Sequence, residues 1–264
     1  GSRTFNDPAQ WHADDGGQWH LIGIPDDPGM VVHDGQFGNR RTTLDTLAAP
    51  WDFFYDESRS RLYVYAQQNP TLEAKQFELP VVEFVIGPLE QDHIMLRDLD
   101  IGHGRTMSLL AWDSDHLTVS DCRFVGSPGN HIQFQNGSND GVVSGCYFDD
   151  WNLLDKRAYA IQAIEKQSGP VDITDCTFTA TRQGGGEDHA AIMNDYNGWI
   201  RTVRNCRFLG NGGALADEGV VIWRPSATAD SVVIDGNLFS ELGGTAIMVQ
   251  ELEHFGATPT VKVV

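Results

Sequence analysis

Two acidic pairs stand just ahead of short apolar segments, and they are the residues of this chain best suited to acid–base chemistry. Glu187 and Asp188 precede His189–Met193, and Asp217 and Glu218 precede Gly219–Trp223. Aligned on the apolar positions of those segments, Arg157, Asp188 and Glu218 share one column, with Glu187, His189 and Asp217 beside them. Carboxyl groups on neighbouring strands would lie roughly 5 Å apart, the separation of a retaining glycosidase pair, and carboxyls two strands apart would suit an inverting one. Crowded like charges also raise one pKa, which sets an acid beside a base. Glycine-rich stretches, Gly184-Gly185-Gly186 and Gly210–Gly213, precede both pairs as loops able to admit a ligand. The competing reading is that these are solvated loop-end carboxylates of an acidic protein.

A second column follows the same segments. It holds Asn136, Glu165, Asp195, Arg224 and Glu251, with Lys166, Tyr196 and Trp223 nearby. Trp and Tyr offer flat apolar faces to a sugar ring, and the polar groups would fix its hydroxyls. A row of surface polar residues with a packed Trp would read the same way.

These columns exist only because the chain repeats. Ser120-Asp121-Cys122-Arg123-Phe124 returns as Ser144-Gly145-Cys146-Tyr147-Phe148, Thr174-Asp175-Cys176-Thr177-Phe178 and Arg204-Asn205-Cys206-Arg207-Phe208. Versions without cysteine stand at Arg97–Ile101 and Asp235–Phe239. The central positions 99, 122, 146, 176, 206 and 237 step by 23, 24, 30, 30 and 31 residues. Such periods mark stacked architectures. Each unit opens with an alternating apolar strand that the phrase closes, then a polar loop, then a second short strand. Two or three short strands per unit in parallel register predict an all-β solenoid of about six coils spaced ~4.8 Å apart. Phe124, Phe148, Phe178, Phe208 and Phe239 should then stack in the interior, with the cysteines beside them as a ladder of inert thiols. Adjacent coils also bring cysteines within disulfide distance, although parallel side chains suit the S–S dihedral poorly. The cysteine spacing fits no zinc site of the Cys-x-x-Cys kind.

Residues 3–88 lack the repeat and read as a β-rich cap region. Trp51–Tyr55 and Leu62–Tyr65 flank a polar loop as a hairpin. Asn39–Ala48 holds a short turn of helix at most. Gly1-Ser2 reads as a cloning remnant, and residues 89–264 as the repeat domain, whose last strand, Thr260–Val264, caps the stack or marks a cut within or just after it. No apolar run approaches ~18 residues, so no segment reads as membrane-spanning. The net charge of −19 disfavours nucleic acid, anionic membranes and polyanionic glycans, and favours a neutral ligand.

The repeats resemble the right-handed parallel β-helix of the pectin-lyase-like superfamily. The block Trp51…Tyr55-Asp56…Leu62-Tyr63-Val64-Tyr65…Asn69-Pro70 resembles a segment that precedes the helix in many secreted bacterial β-helix proteins. The resemblance implies a carbohydrate lying across the parallel sheet, in an extracellular or periplasmic protein. Three functions follow as expectations: a glycoside hydrolase acting on a neutral polysaccharide through Asp/Glu chemistry, a non-catalytic carbohydrate-binding or periplasmic sensory domain, and a polysaccharide lyase. Scarce lysine and an acidic setting weigh against the lyase. No cofactor is required. The Asp-rich turns could hold Ca²⁺ through oxygen ligands, although no EF-hand or nonapeptide calcium repeat is present, and no metal ligands are assigned. The chain is expected to be a monomer.

Overall fold

The computed structural model describes residues 2–151, 158–166, 168–179, 189–210, 218–226, 229–250 and 260–264. The chain is all-β, and it divides into two compact units: Gly1–Glu83 with His103–Arg105, and Phe84–Gly102 with Thr106–Val264.

The first unit holds a five-stranded and a four-stranded sheet. Its hairpin pairs Asp52–Asp56 with Arg61–Tyr65. The connecting turn is shaped by Asp56, whose carboxylate accepts from Arg59 N–H, and by Ser60 at φ 50°. Alternate residues of this hairpin, Phe53, Leu62 and Val64, pack with Leu21, Phe77 and Leu79 into a core that excludes water. Asn39–Ala48 contains a single 3-10 turn, Leu44–Thr46, and a four-residue helix, Pro70–Glu73, was not signalled by the sequence.

Among the described residues, three parallel sheets make up the second unit. The first comprises β1 (Phe84–Leu89), β2 (Met107–Trp112), β3 (Ile132–Gln135), β4 (Ala158–Ile164), β5 (His189–Asp195), β6 (Glu218–Trp223) and β7 (Ile247–Gln250), hydrogen-bonded in that order. A second sheet of seven strands runs from Met95–Arg97 to Thr260–Val263, and a third of six runs from Asp100–Gly102 to Leu238–Ser240. The chain visits the three sheets in rotation, so each strand pairs with its counterpart one repeat earlier and one repeat later.

The recurring phrase is a corner rather than the end of one strand. Asp98, Asp121, Asp175 and Asn205 stand at φ 54°, 53°, 55° and 54°, and Gly145 and Gly236 at 63° and 66°. This left-handed bend separates the strand before the phrase from the strand that carries its Phe. Asp, Asn and Gly recur there because a short polar side chain, or none, tolerates that conformation. Asp175→Val should therefore lower stability by ~1–2 kcal/mol, while Asp175→Asn stays within about 0.5 kcal/mol. Urea denaturation of the two variants checks this, and equal midpoints would refute it.

Inside the corner the Phe residues stack as expected. Successive ring centroids lie 5.0, 5.0, 4.8 and 4.6 Å apart from Phe124 to Phe239, with planes within 10° of parallel. Strand register imposes this spacing. The cysteines are free and buried, but they do not form the expected ladder. Each is tied to its own main chain instead: Sγ of Cys122, Cys146, Cys176 and Cys206 lies 3.2, 3.3, 3.2 and 3.3 Å from the carbonyl oxygens of Ser120, Ser144, Thr174 and Arg204. A buried thiol finds an acceptor two residues back because the corner turns that carbonyl toward it. Burial raises the Cys122 thiol above its usual pKa.

Candidate functional site

Sheet β1–β7 buries one face in the core, through Leu109, Ile132, Ile161, Ile192, Val220 and Ile222. Its other face carries a separate apolar cluster of Tyr159, Ala190, Met193 and Val221, with Trp223 and Met248 packed against it. Parallel register aligns these side chains: Tyr159 with Ala190 and Glu218, Gln162 with Met193 and Val221, and Val221 with Met248. Tyr159, Met193 and Val221 are themselves buried, so the accessible part of the cluster is its edge.

That edge is aromatic and cationic. The Tyr196 and Trp223 rings are 5.4 Å apart and inclined at 60°. The Arg224 guanidinium carbon lies 4.3 Å from the Trp223 ring centroid and 4.9 Å from that of Tyr196. Cation–π contacts of this length order the arginine over both rings. Tyr196 is 40% exposed, and Trp223 Nε1 is buried with no hydrogen-bond partner among the described residues. A turn after each strand presents this edge: Asn136, Glu165, Tyr196 and Arg224 all have positive φ. Glu165 N–H donates to Tyr196 O at 2.8 Å, and Asn197 N–H to Arg224 O at 2.9 Å, which locks adjacent turns together.

A row of amides continues the same face. Asn130 Nδ2 donates to Gln133 Oε1 at 2.7 Å and to Gln162 Oε1 at 2.8 Å. Gln133 Nε2 donates to Gln135 Oε1 at 2.6 Å, and Gln135 Nε2 to Glu165 Oε2 at 2.8 Å. Lys166 Nζ donates to Asn136 Oδ1. Each amide uses its partner to fix its orientation, leaving a row with known donor and acceptor ends. Asn130, Gln133, Gln135 and Gln162 are not among the candidates that the sequence columns contain. The signal that marks them is glutamine at alternate positions of β3, facing a third glutamine in β4.

In both sequence-derived columns the described strands pair differently from the expectation. Glu218 pairs with Ala190, which pairs with Tyr159, so its register partners among the described residues are Ala190 and Tyr159 rather than charged side chains. Asp195 pairs with Ile164 and is buried, and Tyr196 takes the place beside Glu165 and Arg224 that Asp195 was expected to fill. Strands in parallel sheets read as nearly continuous apolar runs. Ala190–Met193 and Gly219–Trp223 are such runs, so they fit several registers equally well. Arg157, Glu187, Asp188, Asp217 and Glu251 lie outside the described residues, and His189 is placed as the first residue of β5. Glu165, Tyr196, Trp223 and Arg224 are the expected residues that the structure brings together.

Among the described residues no group of three or more His, Cys, Asp or Glu side chains is placed to hold a metal ion, and no helix is long and apolar enough to cross a membrane. Comparison of the chain with protein-family models, curated proteins and solved structures found no match.

Proposed function

We propose that this protein binds a neutral glycan along the outward face of β3–β6, with a sugar ring on the Tyr196–Trp223–Arg224 edge and hydroxyls on the neighbouring amides. The observation that carries the reading is that edge: two aromatic rings and a guanidinium ordered by one another, one ring well exposed, beside a fixed row of Asn and Gln side chains. Aromatic faces match the apolar faces of sugars, and amides match hydroxyls as both donors and acceptors. The charge of −19 favours an uncharged ligand over a polyanion. In the same proposal the rotation of the chain through three parallel sheets is the winding of a right-handed parallel β-helix of the pectin-lyase-like kind, and the glycan is met outside the cytoplasm.

Hydrolysis is the second reading. It is favoured by Glu218, which shares register with Tyr159 and Ala190 of the outward cluster. It needs a second carboxyl within ~10 Å, for which Glu187, Asp188 and Asp217 are the candidates.

Affinity electrophoresis against neutral and anionic polysaccharides, with reducing-sugar release followed in parallel, tests both. A neutral glycan should retard the protein, and Trp223→Ala with Tyr196→Ala should weaken binding at least about tenfold, or ~1.4 kcal/mol. Retardation by no neutral glycan, or equal retardation of the double variant, would refute the binding reading. Sugar release that is lost in Glu218→Gln would establish the hydrolase.

A further inference from the structure

The first unit contains a cavity of about 320 Å³ that the glycan reading does not use. Its walls are largely apolar, with Phe5, Ile24, Pro28 and Leu79 among them. The volume falls at the lower end of small-ligand pockets, ~300–1,000 Å³.

Its charges run against those of the chain. The ionisable residues lining it are Arg3, Asp26 and Arg105, a net charge of +1 in a protein of net charge −19. Strand pairing places Arg3 opposite Leu79, and its guanidinium carbon lies 5.0 Å from the Phe5 ring centroid. Arg105 is held from two directions: its N–H donates to Val82 O at 2.7 Å, and Nη1 lies 2.6 Å from Asp26 Oδ2. Asp26 is largely exposed, while Arg105 is mostly covered. Arg105 Nε is buried and has no hydrogen-bond partner among the described residues.

A guanidinium N–H that is buried without an acceptor is costly, and an anion that supplies the acceptor relieves the cost. Planar carboxylates fit a guanidinium edge better than spherical anions do. The apolar walls add a demand that a bare inorganic anion cannot meet.

We propose that this cavity binds a small carboxylate with an apolar body, its carboxylate on Arg105 with Arg3 nearby and its aryl or alkyl part among Phe5, Ile24, Pro28 and Leu79. The site is independent of the glycan face and belongs to the other unit.

Isothermal titration of the whole chain with 3-phenylpropionate tests the proposal, with uncharged 3-phenylpropanamide and acetate as comparisons. The carboxylate should bind saturably with a Kd below about 1 mM. The amide should bind at least about tenfold more weakly, and acetate immeasurably, since one lacks the charge and the other the apolar body. Val81 lines the cavity and is 54% exposed, so Val81→Asp can set a like charge at the rim without disturbing the core. It should raise the Kd at least about tenfold and leave the unfolding midpoint unchanged. Arg105→Gln should abolish binding, and Arg3→Gln should weaken it about threefold, as a more distant charge would. No saturable binding up to about 10 mM, an amide as tight as the carboxylate, or a Val81→Asp protein of unchanged Kd would overturn the assignment.

Discussion

Phe178→Ala should destabilise the second unit by about 3–5 kcal/mol. The Phe178 ring is 1% exposed and stacks on Phe148 at 5.0 Å and on Phe208 at 4.8 Å. Truncation removes the contacts on both ring faces and leaves a void. The neighbouring strands cannot close it, because main-chain hydrogen bonds fix their spacing: Thr177 N–H to Cys146 O at 2.9 Å and Arg207 N–H to Cys176 O at 2.8 Å. For a unit of this size the loss corresponds to a fall in Tm of roughly 10 °C. Phe178→Leu, which keeps most of the volume, should cost less than about 1.5 kcal/mol. Phe239 ends the described stack, is only partly buried, and among the described rings stacks on Phe208 alone. Phe239→Ala should therefore cost about half as much as Phe178→Ala. Calorimetry of the three variants decides the matter, and a loss below ~1 kcal/mol for Phe178→Ala, or equal losses at 178 and 239, would show that the stack is not the spine of the unit.

Acid should destabilise the same unit through His131. Its ring is wholly buried beside the Phe124 and Phe148 rings, at centroid distances of 5.8 and 6.0 Å. Nε2 lies 2.8 Å from Asp149 O, and Nδ1 lies 3.1 Å from Ser108 Oγ. A neutral ring satisfies both contacts, with Nε2–H donating to the carbonyl and Nδ1 accepting from the hydroxyl. Burial pushes the imidazole pKa down from 6.5 to about 4. Above pH 6.5 neither the folded nor the unfolded state binds this proton, and its full contribution is present. Between pH 6.5 and about 4 the unfolded state takes up the proton first, so stability falls with pH by about 3 kcal/mol in all. Below about 4 both states are protonated and the loss levels off. Urea midpoints from pH 7.5 to 4 should show this decline. His131→Gln, whose amide can still donate to Asp149 O, should flatten it by the slope of one proton, about 1.4 kcal/mol per pH unit. An unchanged slope would exclude His131 as its source. In the first unit, burial also lowers His103, which adds to acid sensitivity with the same sign. Asp52 acts only at lower pH: burial works to raise its pKa, but hydrogen bonds from Arg41, Ala48 and Ala49 outweigh burial and hold it below 3.8.

Much of this architecture was legible in the chain. A phrase recurring every 23 to 31 residues announced stacked parallel strands, and its Phe position announced the interior stack. Both signals are periodic, and periodicity survives translation into structure because parallel pairing puts like positions over one another. The Asp, Asn or Gly ahead of the central residue also carried information, although its meaning as a left-handed corner emerges only from the backbone. The hairpin from Asp52 to Tyr65 was equally readable, because its alternation and its turn residues agree.

The candidate site was legible only in its residue types. Trp223, Tyr196, Arg224 and Glu165 were singled out by chemistry, yet their arrangement followed from register, and register was not encoded in runs such as Gly219–Trp223. One residue of slip exchanged Asp195 for Tyr196 beside Glu165, which replaced an expected carboxylate with an aromatic ring. A slip along β6 likewise set Glu218 opposite Ala190. The amide row stayed hidden because Asn130, Gln133 and Gln162 are distant in sequence and meet only through strand pairing. The cavity between Arg3 and Arg105 stayed hidden for the same reason. By itself, then, the sequence determined the all-β class, the repeat and the composition of the core, since these depend on local pattern and on burial. Tertiary structure alone decided which polar side chains stand together, because main-chain hydrogen bonds between distant repeats set that choice, and they are indifferent to which side chains they align.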